Sequence, residues 1–453
     1  MKRGSPYSGL LTDLYELTMA AGYLEAGFEG RATFELFARS LPKRRNFLVA
    51  AGLEQCLEYL EHIHFSDEEI GYLRGNQAFS GIGEAFFEYL ARFRFSGDVW
   101  AVPEGTVCFP DEPLLRITAP IIEAQIVETY LLSSMSFQTL IASKAARATL
   151  AAQGRGVMEF GTRRAHGPES GVLAARAAFI GGCRGTSNVA AGHRFGIPTF
   201  GTQAHSWVMA HEDEEEAFRQ FLDIFRESSV LLLDTYDVRA AVEKIVAMRR
   251  KPRGVRLDSG DLAADSKWIR RRLDEIGWND VQIFASGDLD EDRIESLVTS
   301  GAKIDAFGVG TALSTSLDAP ALGVIYKLVE VETGGTVRNS AKFSAAKITY
   351  PGRKQVFRRV DARGRFIEDI IALEDERIAG GLALLEPVVR AGARIAPAPG
   401  LAKAQAHCLK QVAGLPGELR QLAPAPAYPV QHSERLEELL GEVRRRVERA
   451  ARI

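Results

Sequence analysis

The sequence has few cysteines, no long apolar run and no excess of either charge. Its 453 residues include four cysteines, with neither the close pairing of a zinc site nor the density of a disulfide scaffold. No stretch approaches the roughly 18 apolar residues of a membrane span, and the first residues lack the uninterrupted apolar segment of a signal peptide. These absences predict a cytoplasmic protein that does not enter a membrane.

Charge is nearly balanced, with 56 Lys and Arg against 59 Asp and Glu. A nucleic-acid partner held by bulk electrostatics is therefore not expected, and an anionic ligand must be bound by local groups. The length exceeds what one hydrophobic core usually organises, so we expect two units that are interleaved in sequence.

The residue pattern divides the chain into a central and a flanking part. Between about residues 155 and 330, short apolar strands alternate with amphipathic helices, which is typical of parallel βα units. Alternating β patterns broken by Pro and Gly occupy residues 97–119 and return beyond residue 340. The predicted fold is α/β, an irregular, incomplete βα barrel plus a discontinuous α+β sandwich-like domain. The predicted segments are 1–130 (N-terminal α+β domain), 131–335 (barrel) and 336–453 (its C-terminal completion).

Four local patterns give sharper structural expectations. Residues 31–42 alternate like a half-buried strand, and residues 120–152 are predicted to be a long helical stretch that contains a domain boundary. The Pro-rich segment 392–431 is expected to wrap the surface in extended form, and Ser433 to cap a closing helix.

Polar residues or glycines follow nearly every predicted barrel strand. Ligands of parallel βα folds bind beyond the carboxyl ends of the strands, so these residues should face one opening. The strand ends supply Arg163, Arg164, Thr186, Ser187, Thr202, His205, Asp234, Asp258, Asp261, Asp288, Gly308, Gly310 and Thr311.

Each of these residues also has an ordinary structural interpretation. An Asp before a helix, such as Asp234, is more often an N-cap, and a single Gly-x-Gly marks any tight turn. His205, after the apparent strand "IPTF", is either a core residue at a strand edge or a reactive group at a site. Together, however, the set offers amide donors for phosphate, arginines for a second anion, and carboxylates for sugar hydroxyls or the waters of Mg²⁺. This combination favours a phosphorylated ribose as ligand.

Five ordered motifs identify a family resemblance: "LLTDLYELTMAAGY", "EFGTRRAHGPESG", "GGCRGTSNVAAGHRFGIPTFGTQAHSW", "GVRLDSGDL" and "FGVGTAL". Together they resemble nicotinate phosphoribosyltransferase, from about residue 10 to about residue 357. The resemblance implies an ATP-coupled pentosyltransferase of NAD salvage, which converts nicotinate and phosphoribosyl pyrophosphate to nicotinate mononucleotide and pyrophosphate. It also implies Mg²⁺ bound through pyrophosphate or ATP with no metal site made by the protein alone, and a homodimer with shared active sites.

The resemblance assigns roles to particular residues. His205 would be the phosphorylated histidine, and Asp258 and Asp288 would act in catalysis. Substrate contacts would come from Tyr15, Arg163, Ser187, Thr202, Arg256, Gly310 and Thr311.

Other functions remain open at this point. Ser187 stands where nicotinamide phosphoribosyltransferases carry an aspartate, and its lack of charge favours nicotinate, because a carboxylate would repel nicotinate. A quinolinate enzyme would be shorter and lack the histidine motif. A sugar-phosphate aldolase or isomerase would need a lysine or an acid and base pair at the strand ends, and a non-catalytic nucleotide sensor is the third alternative.

Overall fold

The computed structural model describes residues 5–344 and 348–451, which divide between two units. The first unit comprises the chain up to Thr139, Ala321–Leu419 and the chain from Ala425, and the second Leu140–Pro320 with Arg420–Pro424. Helices and strands occur in both, so the α/β prediction is confirmed. Residues 345–347, within the β pattern predicted beyond residue 340, lie outside the described residues.

The N-terminal part of the first unit is mixed helix and strand. Its elements are α1 (Leu14–Glu25), β1 (Arg31–Ala38), β2 (Leu48–Val49), α2 (Leu53–His62), α3 (Asp67–Arg74), α4 (Glu84–Ala91), β3 (Asp98–Ala101), β4 (Val107–Cys108), β5 (Pro113–Pro120) and α5 (Ile121–Ile126). Helix α6 (Glu128–Ala151) follows.

The second unit alternates strand and helix. It contains β6 (Gly156–Glu159), α7 (Pro168–Ile180), β7 (Gly185–Thr186), α8 (Val189–Phe195), α9 (His205–Met209), α10 (Glu214–Phe225), β8 (Val230–Leu232), α11 (Val238–Ala247), β9 (Gly254–Leu257), α12 (Leu262–Glu275), β10 (Gln282–Ala285), α13 (Glu291–Thr299), β11 (Ala306–Val309) and α14 (Thr311–Ser314).

The chain then returns to the first unit. Its last elements are β12 (Val324–Thr333), β13 (Thr336–Asn339), β14 (Lys354–Val360), β15 (Phe366–Leu373), β16 (Gly381–Ala383), β17 (Glu386–Arg390), β18 (Ala393–Arg394), α15 (Leu401–Gly414), β19 (Val430–His432) and α16 (Glu434–Ala451).

The sheets of the first unit are mainly antiparallel. Seven strands form one sheet in the order β13-β12-β1-β5-β3-β17-β18, and four form another in the order β16-β14-β15-β19. The expectation that β1 is half-buried is wrong, because seven of its eight residues are buried. The polar side of the strand is covered: Glu35 Oε2 lies 2.8 Å from Lys354 Nζ of β14, and both side chains are inaccessible.

Six parallel strands form the sheet of the second unit, in the order β7-β6-β11-β10-β9-β8. The segment after α8 bonds to both edge strands. The Phe200 amide donates to Thr186 O of β7 at 2.9 Å, and the Gln203 amide donates to Val230 O of β8 at 3.0 Å. Since consecutive parallel strands are joined through helices, the carboxyl ends of these strands meet at one side of the unit.

The strand predicted at "IPTF" is wrong in part, since only Thr199 forms a bridge there. Pro198 lacks an N–H, and its carbonyl is the atom that pairs, by accepting from the Thr186 amide at 3.0 Å. A regular ladder therefore does not form around Pro198.

Three predictions for segments outside the parallel sheet have different outcomes. The helical stretch expected at 120–152 is confirmed as two consecutive helices, α5 and α6, which are separated at Val127, where the Thr12 hydroxyl donates to Ile126 O at 3.0 Å. The prediction that residues 392–431 are extended is wrong, because the stretch of this segment that lacks proline forms α15. The Ser433 cap is confirmed, because its hydroxyl accepts from the Leu436 amide at 3.2 Å.

Candidate active site

A cavity of about 560 Å³ lies at the carboxyl ends of the parallel strands of the second unit. It is bordered by the residues after five of the six strands and by the segment that leads to His205. The lining residues are Phe160, Thr162, Arg163, Arg164, Ser187, Phe200, Gly201, Thr202, Arg256, Asp258, Ser286, Gly287, Asp288, Gly308, Gly310 and Thr311.

The structure brings most of the predicted site residues to this cavity. Its lining includes Arg163, Ser187, Thr202, Arg256, Asp258, Asp288, Gly310 and Thr311. His205 lies beside the lining, and Tyr15 belongs to the first unit. The shared position follows from the parallel sheet, because every strand delivers its next residues to the same side.

Arg256 of β9 is held by three side chains of the cavity wall. Its Nε donates to Ser286 Oγ at 2.8 Å, Nη1 to Thr202 Oγ1 at 2.8 Å, and Nη2 to Asp258 Oδ1 at 2.6 Å. These contacts leave one N–H on each terminal nitrogen for a ligand. The guanidinium is thereby fixed in orientation before any substrate binds.

Asp258 is ionised and shared between a cation and an imidazole. Burial opposes its ionisation, but the Ser286 hydroxyl at 2.6 Å and the Arg256 guanidinium hold its pKa below the usual range. Its second oxygen, Oδ2, lies 3.8 Å from His205 Nε2. The carboxylate can therefore stabilise positive charge on that ring.

His205 begins the short helix α9 and is 42% exposed. Its Nδ1 lies 3.2 Å from Thr235 Oγ1, and its Nε2 faces Asp258. The core interpretation of His205 is wrong, because the ring is accessible and both nitrogens face polar groups.

The turn after β10 requires a glycine. Gly287 has a φ of 92°, and a Cβ there would come within 1.9 Å of the Asp258 carbonyl oxygen. Asp288, which follows, also adopts a positive φ, of 47°. This turn brings the backbone against Asp258 and directs Asp288 into the cavity lining.

Asp234 does not cap a helix. It accepts from the Asp258 amide at 3.1 Å and from the Ser259 hydroxyl, whereas Asp237 caps α11. The N-cap interpretation of Asp234 is therefore wrong, although it holds for Asp261, which caps α12. Asp234 instead fixes the loop after β9.

Glu159 is a structural residue that the sequence reasoning missed. It is inaccessible at the end of β6, and it accepts from the Gly161 amide and from the Thr186 hydroxyl, the latter at 2.6 Å. Burial raises its pKa. The sequence signal for this role is the single acidic residue inside the apolar run "GVMEF". In the structure, Glu159 connects the loop that carries Arg163 to β7.

Tyr15 lies on α1 and is 48% exposed. Burial of its remaining surface, together with the neighbouring Glu16 and Glu128, raises the pKa of its phenol above the usual range. Tyr15 therefore keeps its proton and is a hydrogen-bond donor at neutral pH.

Known proteins are similar to this chain over nearly its whole length. Family models match residues 10–136 (nicotinate phosphoribosyltransferase N-terminal domain), 156–369 (nicotinate phosphoribosyltransferase family) and 381–440 (its C-terminal domain). A nicotinate phosphoribosyltransferase of Mycobacterium tuberculosis is 45% identical over 444 residues, covering 96% of this chain and 93% of the relative. The chain belongs to the nicotinate phosphoribosyltransferase family.

Other nicotinate phosphoribosyltransferases are similar as well. The enzyme of Bacillus subtilis is 44% identical over 380 residues, which are 82% of this chain and 77% of that relative. The crystal structure of human nicotinic acid phosphoribosyltransferase has a TM-score of 0.84 at 30% identity, covering 95% of this chain and 99% of the human chain. The family therefore accounts for both units of the chain.

The part of the chain that the structure describes has neither a cluster of metal-ligating side chains nor a membrane-spanning helix. No group of three or more His, Cys, Asp or Glu side chains in residues 5–344 and 348–451 is placed to hold a metal ion. No helix in the same residues is long and apolar enough to cross a membrane.

Proposed function

We propose that the chain is an ATP-coupled nicotinate phosphoribosyltransferase whose reaction takes place in the cavity of the second unit. The pyridine nitrogen of nicotinate attacks the anomeric carbon of phosphoribosyl pyrophosphate, and the bond from that carbon to pyrophosphate breaks. ATP and water yield ADP and phosphate in the coupled reaction. The observation that carries the proposal is the preformed Arg256 guanidinium beside Asp258 and His205 in one cavity of the family fold.

The arginines are proposed to bind the carboxylate of nicotinate. Arg256 is oriented by its contacts with Thr202 and Asp258, and a guanidinium pairs with a carboxylate through two parallel hydrogen bonds. Arg163 is an exposed lining residue after β6, which the sheet order separates from β9 by two strands, and it forms no ion pair within the described residues. This placement would hold the ring so that its nitrogen points to the sugar.

The loops after β10 and β11 are proposed to hold the phosphoribosyl group. Gly310 and Thr311 offer backbone amides without bulky side chains, and Asp288 is available for ribose hydroxyls. Asp288 also fits Mg²⁺, because it is an exposed residue of the lining and carboxylate oxygens are ligands that Mg²⁺ prefers. When it is bound to the substrate, Mg²⁺ would neutralise the charge that develops on pyrophosphate.

His205 is proposed to accept the γ-phosphoryl group of ATP. An unprotonated imidazole nitrogen forms the new N–P bond, ADP leaves, and water later releases phosphate. Asp258 and Thr235 hold the ring from its two sides. The phosphorylation would thereby be linked to substrate binding through Asp258, which also contacts Arg256.

We also propose a homodimer in which Tyr15 completes the site of the partner. Its accessible phenol on α1, with exposed Leu14 and Met19 nearby, supports a contact surface on that helix.

The parallel strands of the second unit, together with the segment that bonds to both edge strands, are inferred to close an irregular barrel. A cytoplasmic location accords with four cysteines that form no disulfide.

A direct assay tests the function. The purified protein is given nicotinate and phosphoribosyl pyrophosphate, with and without ATP, and nicotinate mononucleotide, pyrophosphate and ADP are measured. We expect nucleotide in both cases, formed faster at low substrate concentration with ATP. Turnover of nicotinamide alone, or binding without any pyrophosphate release, would contradict the proposal.

The base specificity gives a separate prediction. The wild-type protein is expected to prefer nicotinate over nicotinamide by more than about tenfold, because Ser187 adds no negative charge to the cavity. Ser187→Asp should raise the KM for nicotinate about tenfold, a cost of ~1.4 kcal/mol from like charges.

Ser187→Asn is the matched control, since it has a similar size without the charge. An equal rise of the nicotinate KM in both variants would mean that size rather than charge sets the preference.

A further inference from the structure

Helix α6 carries two buried cations that face acidic residues of the second unit. Lys144 Nζ lies 2.6 Å from Glu291 Oε2 and 2.8 Å from Asp318 Oδ1. Arg147 Nε lies 3.1 Å from Glu291 Oε1. The side chains of Lys144, Arg147 and Glu291 are at most 5% exposed, so this is a nearly dry cluster with two charges of each sign.

The acidic members follow the two loops that border the phosphate side of the cavity. Glu291 is the first residue of α13, directly after the turn that contains Gly287 and Asp288. Asp318 follows α14, which begins at Thr311. A single ammonium group therefore connects the chain after β10 with the chain after β11.

The contacts are strong because water does not compete for them. Burial alone would raise the pKa of Glu291, but Lys144 and Arg147 lower it, so that the carboxylate stays ionised. Removal of one partner from such a cluster leaves an uncompensated buried charge, which is far more costly than loss of a surface pair. Each loop is thus held to α6 by a contact that resists small displacements.

We propose that Lys144 is a positioning residue for phosphoribosyl pyrophosphate, which fixes the spacing of the loops that carry Asp288 and Thr311. The inference rests on the proposed function, because those loops are assigned to the phosphates there. Lys144, Glu291 and Asp318 are not part of the cavity lining, so Lys144 is proposed to act through the two acidic residues that it pairs with. The proposed nicotinate contacts Arg163 and Arg256 lie after β6 and on β9, outside these two loops, and should be affected less.

The test compares the two substrates in Lys144→Met, Lys144→Arg and Asp318→Asn. Lys144→Met should raise the KM for phosphoribosyl pyrophosphate at least about tenfold, since a displacement near 1 Å at a site costs roughly that or more. The KM for nicotinate should stay within about twofold. Lys144→Arg should recover most of the affinity, and Asp318→Asn should show a smaller change in the same direction.

Lys244→Met is the matched control for loss of a lysine paired with a buried carboxylate. Lys244 Nζ lies 3.0 Å from Glu214 Oε2, and the two residues belong to α11 and α10. This variant should lower the melting temperature without raising the KM for phosphoribosyl pyrophosphate more than the KM for nicotinate.

Calorimetric titration with inorganic pyrophosphate provides a readout that does not depend on turnover. Its Kd should rise in parallel with the KM for phosphoribosyl pyrophosphate in the Lys144 and Asp318 variants. A wild-type protein that binds pyrophosphate but makes no nucleotide would refute the proposed function and leave this comparison valid. Folded variants with wild-type pyrophosphate affinity, or with equal rises of both KM values, would overturn the role of Lys144. If Lys144→Met does not fold, the milder Asp318→Asn decides.

Discussion

His205→Ala is expected to abolish ATP hydrolysis that depends on nicotinate, while slow ATP-independent nucleotide formation persists. The variant removes the only atom proposed to accept the phosphoryl group, and loss of a nucleophile typically lowers kcat by roughly 10³-fold or more. Attack by the pyridine nitrogen on the sugar needs no protein nucleophile, so this step should survive. ADP release and nucleotide formation, measured in the same reaction, separate the two steps.

His211→Ala is the control for this experiment, since His211 is the next histidine along the chain. Its Nδ1 lies 2.7 Å from Trp207 O and its Nε2 3.1 Å from Gln220 Oε1, so its ring is committed to local contacts. We expect His211→Ala to keep ATP coupling. Loss of all transfer in His205→Ala, with or without ATP, would show that His205 acts in the ribosyl step as well.

The place of the site follows from the sequence because of the geometry of parallel sheets. Polar residues after Glu159, Leu257 and Ala285 are far apart along the chain, yet β6, β9 and β10 end on the same side. The strand pattern alone therefore brings Arg163, Asp258 and Asp288 together. Their chemical roles still depend on the family resemblance, and the variants above test them.

The partners of these residues could not be predicted, because they depend on side-chain directions rather than on residue types. Asp258 is the clearest case, as its carboxylate joins Arg256, Ser286 and His205, although the sequence does not show which carboxylate faces the histidine. Asp234 shows the converse, because the local pattern favours a cap and the structure places the carboxylate against the Asp258 amide. Both outcomes are decided by contacts between loops of different strands.

The wrong predictions outside the site come from patterns of residue type that do not show which residues pair with one another. The prolines of residues 392–431 flank α15 and none lies within it, so the proline content of the whole segment did not indicate the helix. In β1, the alternation of apolar and polar residues predicted one solvent-exposed face, but Glu35 on that face is buried and paired with Lys354. A charged residue that is buried in an ion pair therefore gives the same sequence pattern as a charged residue that is exposed to solvent.

Arg256→Ala is expected to lower kcat/KM for nicotinate by about 10²- to 10⁴-fold, the second large effect among these variants. A charge-assisted hydrogen bond contributes about 1.5–3 kcal/mol, and a carboxylate ligand would lose two of them. The variant also frees Asp258, which holds both Arg256 and the imidazole of His205, so ATP coupling should weaken as well. Steady-state kinetics with each substrate varied, and ADP formed per nucleotide, measure both effects.

Arg256→Lys separates charge from geometry in the same position. A lysine keeps the positive charge but cannot contact Ser286, Thr202 and Asp258 at once, so we expect it to recover only a small part of the activity. Nicotinate should be affected more than phosphoribosyl pyrophosphate in both variants, because the carboxylate is the group that the guanidinium is proposed to bind. If only the KM for phosphoribosyl pyrophosphate rises, Arg256 binds the phosphates, and the carboxylate of nicotinate must be held by Arg163, the other arginine proposed to bind it.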